Sequence, residues 1–245
     1  GYFVGHMLIL RDLREVRSLQ EEIRQREKLA ALGGMAAGIA HEIRNPLSSI
    51  KGLATYFRGK FDEGSEGKEA SEVMLREVDR LNRVITELLE FARPSDLKLK
   101  SVDINEILDH SVRFIEQDAK IKDVEIKLST STDLPVVPVD ADRFFQALLN
   151  LYLNAIDAME RGGVLSIMST YGGNEHIKVE ISDTGSGISP RNLKRVFDPY
   201  FTTKPGGTGL GLAIVHKIVE AHKGKVKVER VSGRGTVFSI LLPVR

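Results

Sequence analysis

Between about Arg11 and Phe57 the chain is rich in charge, and its later apolar positions fall at Leu32, Ala36, Ile39, Ile43, Pro46, Ile50, Leu53 and Phe57. Steps of four and three alternate through this set, the spacing of a helix that packs one seam in a bundle. Gly33 and Gly34 are its main interruption. A glycine-containing loop, Gly59 to Gly67, leads to a second run with the same rhythm at Met74, Val78, Leu81, Ile85, Leu88 and Ala92. Pro94 ends that run, because proline cannot continue the helical ladder and restricts Arg93 before it. Two such helices joined by a short loop predict a helical hairpin. Pairing two hairpins into a four-helix bundle would hide both stripes, so a homodimer is expected. Docking of the hairpin onto the rest of its own chain is the alternative.

Upstream, Leu13, Val16, Leu19, Ile23 and Ala30 keep a looser seam among many charges, which reads as a coiled coil leading into the bundle or as a solvated single helix. Beyond Pro94 the pattern turns to mixed helix and strand. Leu99 to Val102, Val124 to Leu128, Val164 to Ser169, Ile177 to Ile181, Lys225 to Val231 and Thr236 to Leu241 read as strands. Asn105 to Ala119, Asp142 to Met159 and Leu210 to Ala221 read as helices. The expectation is a second domain in which helices cover one face of a mixed sheet.

Composition bounds the reading without sharpening it. In 245 residues, 42% are hydrophobic and 28% charged, which suits a folded protein with room for two modest domains. A net charge of +1 gives no reason to expect nucleic-acid binding. With no cysteine, disulfides and thiolate metal sites are excluded, and a reducing cytoplasm is the expected location. No apolar run approaches the roughly 20 residues of a membrane helix, so this stretch is expected to make no membrane contact, any anchor lying upstream. The first ten residues are too short and too poor in basic residues for a secretory signal.

His41 is the first candidate for chemistry. It lies midway between Ile39 and Ile43, and two residues of helix turn through about 200°, so it points away from the seam. Position alone fits an inert surface histidine. Its neighbours do not: Pro46 sits inside the helical pattern, where proline costs about 3 kcal/mol or more and invites a bend. A neutral imidazole with a pKa near ~6.5 is a good nucleophile. Attack on phosphorus leaves the ring positive unless its second nitrogen loses a proton, and Glu42 is placed to accept that proton or to stabilise the charge. The stretch His41-Glu42-Ile43-Arg44-Asn45-Pro46-Leu47 resembles the phospho-acceptor H box of sensor histidine kinases.

Five further segments follow in order. Asn150-Leu151-Tyr152-Leu153-Asn154-Ala155 places two amides one turn apart on a helix; amide oxygens are hard ligands that suit Mg²⁺. Asp183-Thr184-Gly185-Ser186-Gly187-Ile188 follows a strand, where glycines let backbone approach a ligand. Phe197 to Lys204 is aromatic. Gly206-Gly207-Thr208-Gly209-Leu210-Gly211-Leu212 runs into a helix, an arrangement that draws phosphate. Gly233-Arg234-Gly235-Thr236 opens the last strand. Together they resemble the N, first glycine, F, second glycine and third glycine boxes of the same kinases.

That resemblance implies a Bergerat-type ATP-binding α/β sandwich behind a dimeric four-helix bundle. By it Asp183 accepts the adenine amino group, Asn150 binds Mg²⁺, and Asn154 binds Mg²⁺ or phosphate. Gly185, Gly187, Gly207, Thr208, Gly209, Leu210, Gly211, Leu212 and Thr236 line the nucleotide. The stretch from Phe197 to Gly209 is implied to be a lid. Asn45 is implied to orient water for dephosphorylating a response-regulator partner. Asp157 departs from the pattern, standing where many of these kinases have a basic residue, and Lys204 could replace that charge from the lid.

The stretch from Asn150 to Asp157 is most similar to the nitrogen-regulation and zinc-responsive sensors. Gly5 to Leu13 resembles the end of a PAS domain. The domains expected are a PAS remnant at 1–12, a coiled coil at 13–30, a dimerisation and phosphotransfer domain at 31–95, and an ATP-binding domain at 96–245. The activity implied is ATP-dependent phosphorylation of His41, then transfer to an aspartate of a cognate response regulator. Two other readings share these features, an ATP-driven conformational machine and a non-catalytic docking module.

Overall fold

A computed structural model describes residues 42–92, 96–173, 175–204, 206–231 and 235–244. The PAS remnant, the coiled coil, the glycine pair at 33 and 34, His41, Pro94, Gly233 and Arg234 lie outside the described residues. The chain divides into two compact units, with residues 42–92 in the first and those from Asp96 onward in the second.

In the first unit, helix α1 covers the described residues 42–58 and helix α2 spans Glu66–Ala92. Ser65 starts α2: its Oγ accepts from Lys68 N at 3.3 Å, and Glu66 and Glu69 place negative charge at the positive end of the helix. The Phe61 ring lies over the bare Cα of Gly67, where a side-chain carbon would come within 2.8 Å of it. Helix α1 continues through Pro46 without a break.

The hairpin closes on Leu47 and Ala54 of α1 against Leu75 and Val78 of α2, all buried. Lys51 Nζ donates to Asp79 Oδ1 at 2.7 Å, and Arg44 Nη2 to Thr86 Oγ1 at 3.0 Å. The row of seam residues expected from the sequence divides here. Val78 and Ala92 are buried, while Ile43, Ile50, Leu53, Phe57, Met74 and Leu81 are exposed. Each helix carries an apolar face wider than one row, and a single hairpin covers only the row facing its own partner helix.

In the second unit, β1 (Lys100–Val102) pairs antiparallel with β3 (Val137–Val139). The main sheet has the order β2-β4-β5-β7-β6, built from Val124–Thr130, Gly163–Tyr171, His176–Asp183, Thr236–Pro243 and Lys225–Arg230. Only β2 and β4 run parallel; the other neighbours are antiparallel, so the sheet is mixed.

Along β5, Ile177, Val179, Ile181 and Asp183 are buried while the residues between them are not, and β7 alternates in the same way. One face is therefore covered by the helices α3 (Ile104–Ile121), α4 (Ala141–Ala158) and α5 (Gly211–Ala221). Strand β3 is absent from the sequence reading because Pro138 interrupts it. Proline is tolerated here since β3 belongs to a two-stranded ribbon.

A buried polar joint ties this unit together. His222 ends α5 and is 4% exposed. Its Nδ1 donates to Ile218 O at 2.8 Å, and its Nε2 accepts from Asp140 N at 2.9 Å. The Asp140 carboxylate caps α4, accepting from Arg143 N at 3.2 Å and from Lys98 N at 2.8 Å. The start of the unit, the asparagine-bearing helix and the end of α5 are thus joined at one point.

Candidate active site

Helix α4 is oriented by its apolar face, from Phe144 and Leu148 to Leu151, Ala155 and Ile156. That rotation leaves Asn150 and Asn154 half-buried, one turn apart on its flank. Asn150 Nδ2 donates to Gly211 O at 3.3 Å, and a side-chain carbon on Gly211 would meet Asn154 Nδ2 at 3.8 Å. Both amides therefore face the first residue of α5.

That helix start is open to an anion. Leu210 caps it with no side-chain hydrogen bond, and its first turn carries no acid. Thr208 Oγ1 accepts from Leu210 N at 3.2 Å, just before the helix. Amides at such a start attract phosphate, and the two asparagine oxygens beside them are hard donors. The donor chemistry fits a Mg²⁺ ion that takes its remaining ligands from phosphate and water.

Asp183 closes the other end, 4% exposed at the last position of β5. Gly185 N donates to its carboxylate at 2.8 Å, and Thr236 donates from both backbone and side chain. Burial pushes the pKa of Asp183 up, and these hydrogen bonds draw it back only in part. Gly235, at φ 106°, presses on this residue so closely that a side-chain carbon there would lie 2.0 Å from Asp183 O. Ser186 N donates to Ala158 O at 3.0 Å, one turn beyond Asn154 on α4. This contact couples the acid to the asparagines.

In the segment read as a lid from the sequence, Phe197 packs against His216 and Phe238, with ring centres at 5.4 and 6.3 Å. Arg195 covers the Phe201 ring at 4.6 Å, and Tyr200 is 62% exposed at φ 64°. Lys204 Nζ donates to Asn154 Oδ1 at 3.2 Å and to Asp157 Oδ2 at 3.3 Å, while Lys122 Nζ donates to Asp157 Oδ1 at 2.7 Å. Burial alone would raise the pKa of Asp157, but these two lysines hold it below the usual carboxylate value.

Of the candidate residues, Asn150, Asn154, Lys204 and Gly211 come together at one end and Asp183, Gly185 and Thr236 at the other. Gly187 joins the second group through Gly235, whose carbonyl a side-chain carbon on Gly187 would approach to 3.0 Å. The loop of Gly207, Thr208 and Gly209 leads into α5, on which Leu212 is half-buried. Leu210 is 2% exposed, its side chain in the core, its N–H donated to Thr208 Oγ1 and its carbonyl accepting from Ile214 N. Glu42 and Asn45 are exposed on α1 in the first unit. The sequence reading missed Asp140, His222 and Lys122. Each acts through a partner at least 35 positions away, which no local pattern marks.

Two family matches agree with this geometry. Residues 31–96 match the His Kinase A (phospho-acceptor) domain. Residues 139–245 match the histidine kinase-, DNA gyrase B- and HSP90-like ATPase. The sensor histidine kinase ZraS of Escherichia coli (strain K12) is 48% identical over 234 residues, covering 96% of this chain and 50% of ZraS. Full-length ShkA in complex with AMPPNP superposes with a TM-score of 0.73 at 29% identity, over 86% of this chain and 45% of ShkA. The kinase ThkA, solved with the response regulator TrrA, gives a TM-score of 0.67 at 29% identity, over 96% of this chain and 68% of that one. The chain belongs to the sensor histidine kinases. It spans about half the length of the curated relatives it matches.

Proposed function

We propose that this chain binds ATP with Mg²⁺ in the second unit and phosphorylates its own His41. The observation that supports this most directly is the pair Asn150 and Asn154 set against the start of α5, with the loop that follows buried Asp183 bonded through Ser186 N to Ala158 O on the same helix α4. Asp183 accepts from the adenine amino group, and the amides at the start of α5 hold phosphate oxygens. Asn150 and Asn154 would hold Mg²⁺, which supplies neutralisation of phosphate charge. A ring nitrogen of His41 forms the new bond to the γ-phosphorus as the bond to the bridging oxygen breaks, and ADP leaves. Glu42 receives the proton from the other ring nitrogen.

The phosphoryl group then passes to an aspartate of a response regulator, and Asn45 orients water for its later removal. Support for such a partner comes from ThkA, which was solved with one. The dimerisation and phosphotransfer domain is 31–95 and the ATP-binding domain 96–245. A conformational ATPase would leave the phospho-acceptor match at 31–96 without a role. Incubation with γ-labelled ATP is expected to give acid-labile label on the protein that His41→Gln abolishes. Label that survives this substitution would overturn the assignment.

A further inference from the structure

Asp157 stands where the family pattern has a base, and it is not idle. It bridges Lys122, which ends α3, and Lys204 of the lid. Lys204 in turn donates to Asn154 Oδ1, one of the two amide oxygens suited to a cation. Its backbone is fixed as well: Lys204 N donates to Thr202 Oγ1 at 3.1 Å, and Gly207 N to Lys204 O at 3.1 Å. The lysine thus sits on a tight loop with its ammonium group aimed at α4.

We propose that Asp157 is a positioning residue that parks Lys204 on Asn154. There the lysine occupies the oxygen that a divalent cation must take, and it tethers the lid to α4 until metal and nucleotide arrive. This rests on the reading of Asn154 as part of the ATP·Mg²⁺ site. An ammonium group and a divalent cation on one amide oxygen repel each other at close range, so seating the cation favours release of Lys204. The freed lysine stays on the lid beside the phosphate site, where it can offset the charge that Asp157 brings in place of a base. Lys122 keeps Asp157 in place while Lys204 leaves. The pairs are 38 to 53% exposed, so the tether is weak and reversible. Exposed pairs of this kind shift an equilibrium by about two- to five-fold.

The test is a double-substitution cycle on the whole chain, with AMPPNP binding measured by calorimetry in Mg²⁺. Asp157→Asn is expected to tighten binding about two- to five-fold when Lys204 is present. It should have no such effect when Lys204→Met has already removed the tether. Asp157→Glu, which keeps the carboxylate, should bind like the parent. In the nucleotide-free protein, hydrogen exchange of the lid amides from Phe197 to Leu210 should quicken in Asp157→Asn and in Lys204→Met alike. An equal gain from Asp157→Asn in both backgrounds would show a simple field effect on phosphate and sink the proposal. So would weaker binding, which marks a merely structural acid, or unchanged lid exchange. Failure of every variant and the parent to bind AMPPNP would instead strike at the ATP site itself.

Discussion

A buried carboxylate needs a reason, and for Asp183 the reason proposed above is recognition of the nucleotide base. Its raised pKa means that the folded state takes up a proton more readily than the unfolded chain. Any stability it contributes is present below the unfolded value of 3.8 and is lost as pH rises through the folded value. At neutral pH the ionised acid is therefore a burden on the free fold. Asp183→Asn is expected to weaken ATP-analogue binding about 10- to 100-fold, the worth of a hydrogen bond to a charged group, without lowering the melting temperature at pH 7. If Asp183 accepts from the adenine amino group as proposed, the ionised acid is the stronger acceptor, and affinity in the parent should fall on acidification at a pH above 3.8. Calorimetry across pH checks both. This residue was half legible in the sequence. The strand reading stopped at Ile181, yet continuing its alternation by one step puts Asp183 on the inner face with Ile177 and Val179. Its hydrogen bonds from Gly185 and Thr236 could not be read, since they depend on how β7 is laid beside β5.

Elements show the same division between what repeats and what crosses. Helices α3, α4 and α5 were readable from their own periodicity to within a few residues, while β3 hid behind Pro138. The joint of His222 and Asp140 was invisible because it links the end of one helix to the cap of another. Burial holds the pKa of His222 below its ordinary 6.5, although the Ile218 carbonyl and the Asp140 carboxylate favour the charged ring. A ring that must accept from Asp140 N stays neutral, so stability is full above pH 6.5 and is lost as pH falls from there toward the depressed folded value. His222→Gln can still accept at that position and should flatten the decline of melting temperature between pH 7.5 and 5.5. His222→Ala leaves a buried amide without its acceptor and should cost about 1–3 kcal/mol at pH 7.5 in urea unfolding.

For the whole molecule, the informative surface is the apolar row that one hairpin leaves exposed. Leu53 at 57% and Met74 at 45% exposure are costly to leave in water, and a second copy is the partner that the helix pattern anticipates. Leu53→Glu is expected to give a monomer by light scattering at micromolar concentration. Its AMPPNP affinity should stay within about two-fold, because that site is built within the second unit. Among the described residues no helix is long and apolar enough to cross a membrane. The periodicity predicted that a row would be left over, but Leu47, Ala54 and Leu75, which close the hairpin with Val78, each lie one position beyond the expected Pro46, Leu53 and Met74.

The hook from Lys98 to the cap of α4 bears on how such kinases can be recombined. Lys98 comes before β1, in a stretch that looks like dispensable connector, yet its amide belongs to the helix that carries both asparagines. A chimera that grafts this ATP-binding unit onto a foreign hairpin has to place its splice ahead of Asp96. A splice at the first regular strand would carry over every box of the motif and discard one of the bonds that hold the helix in register.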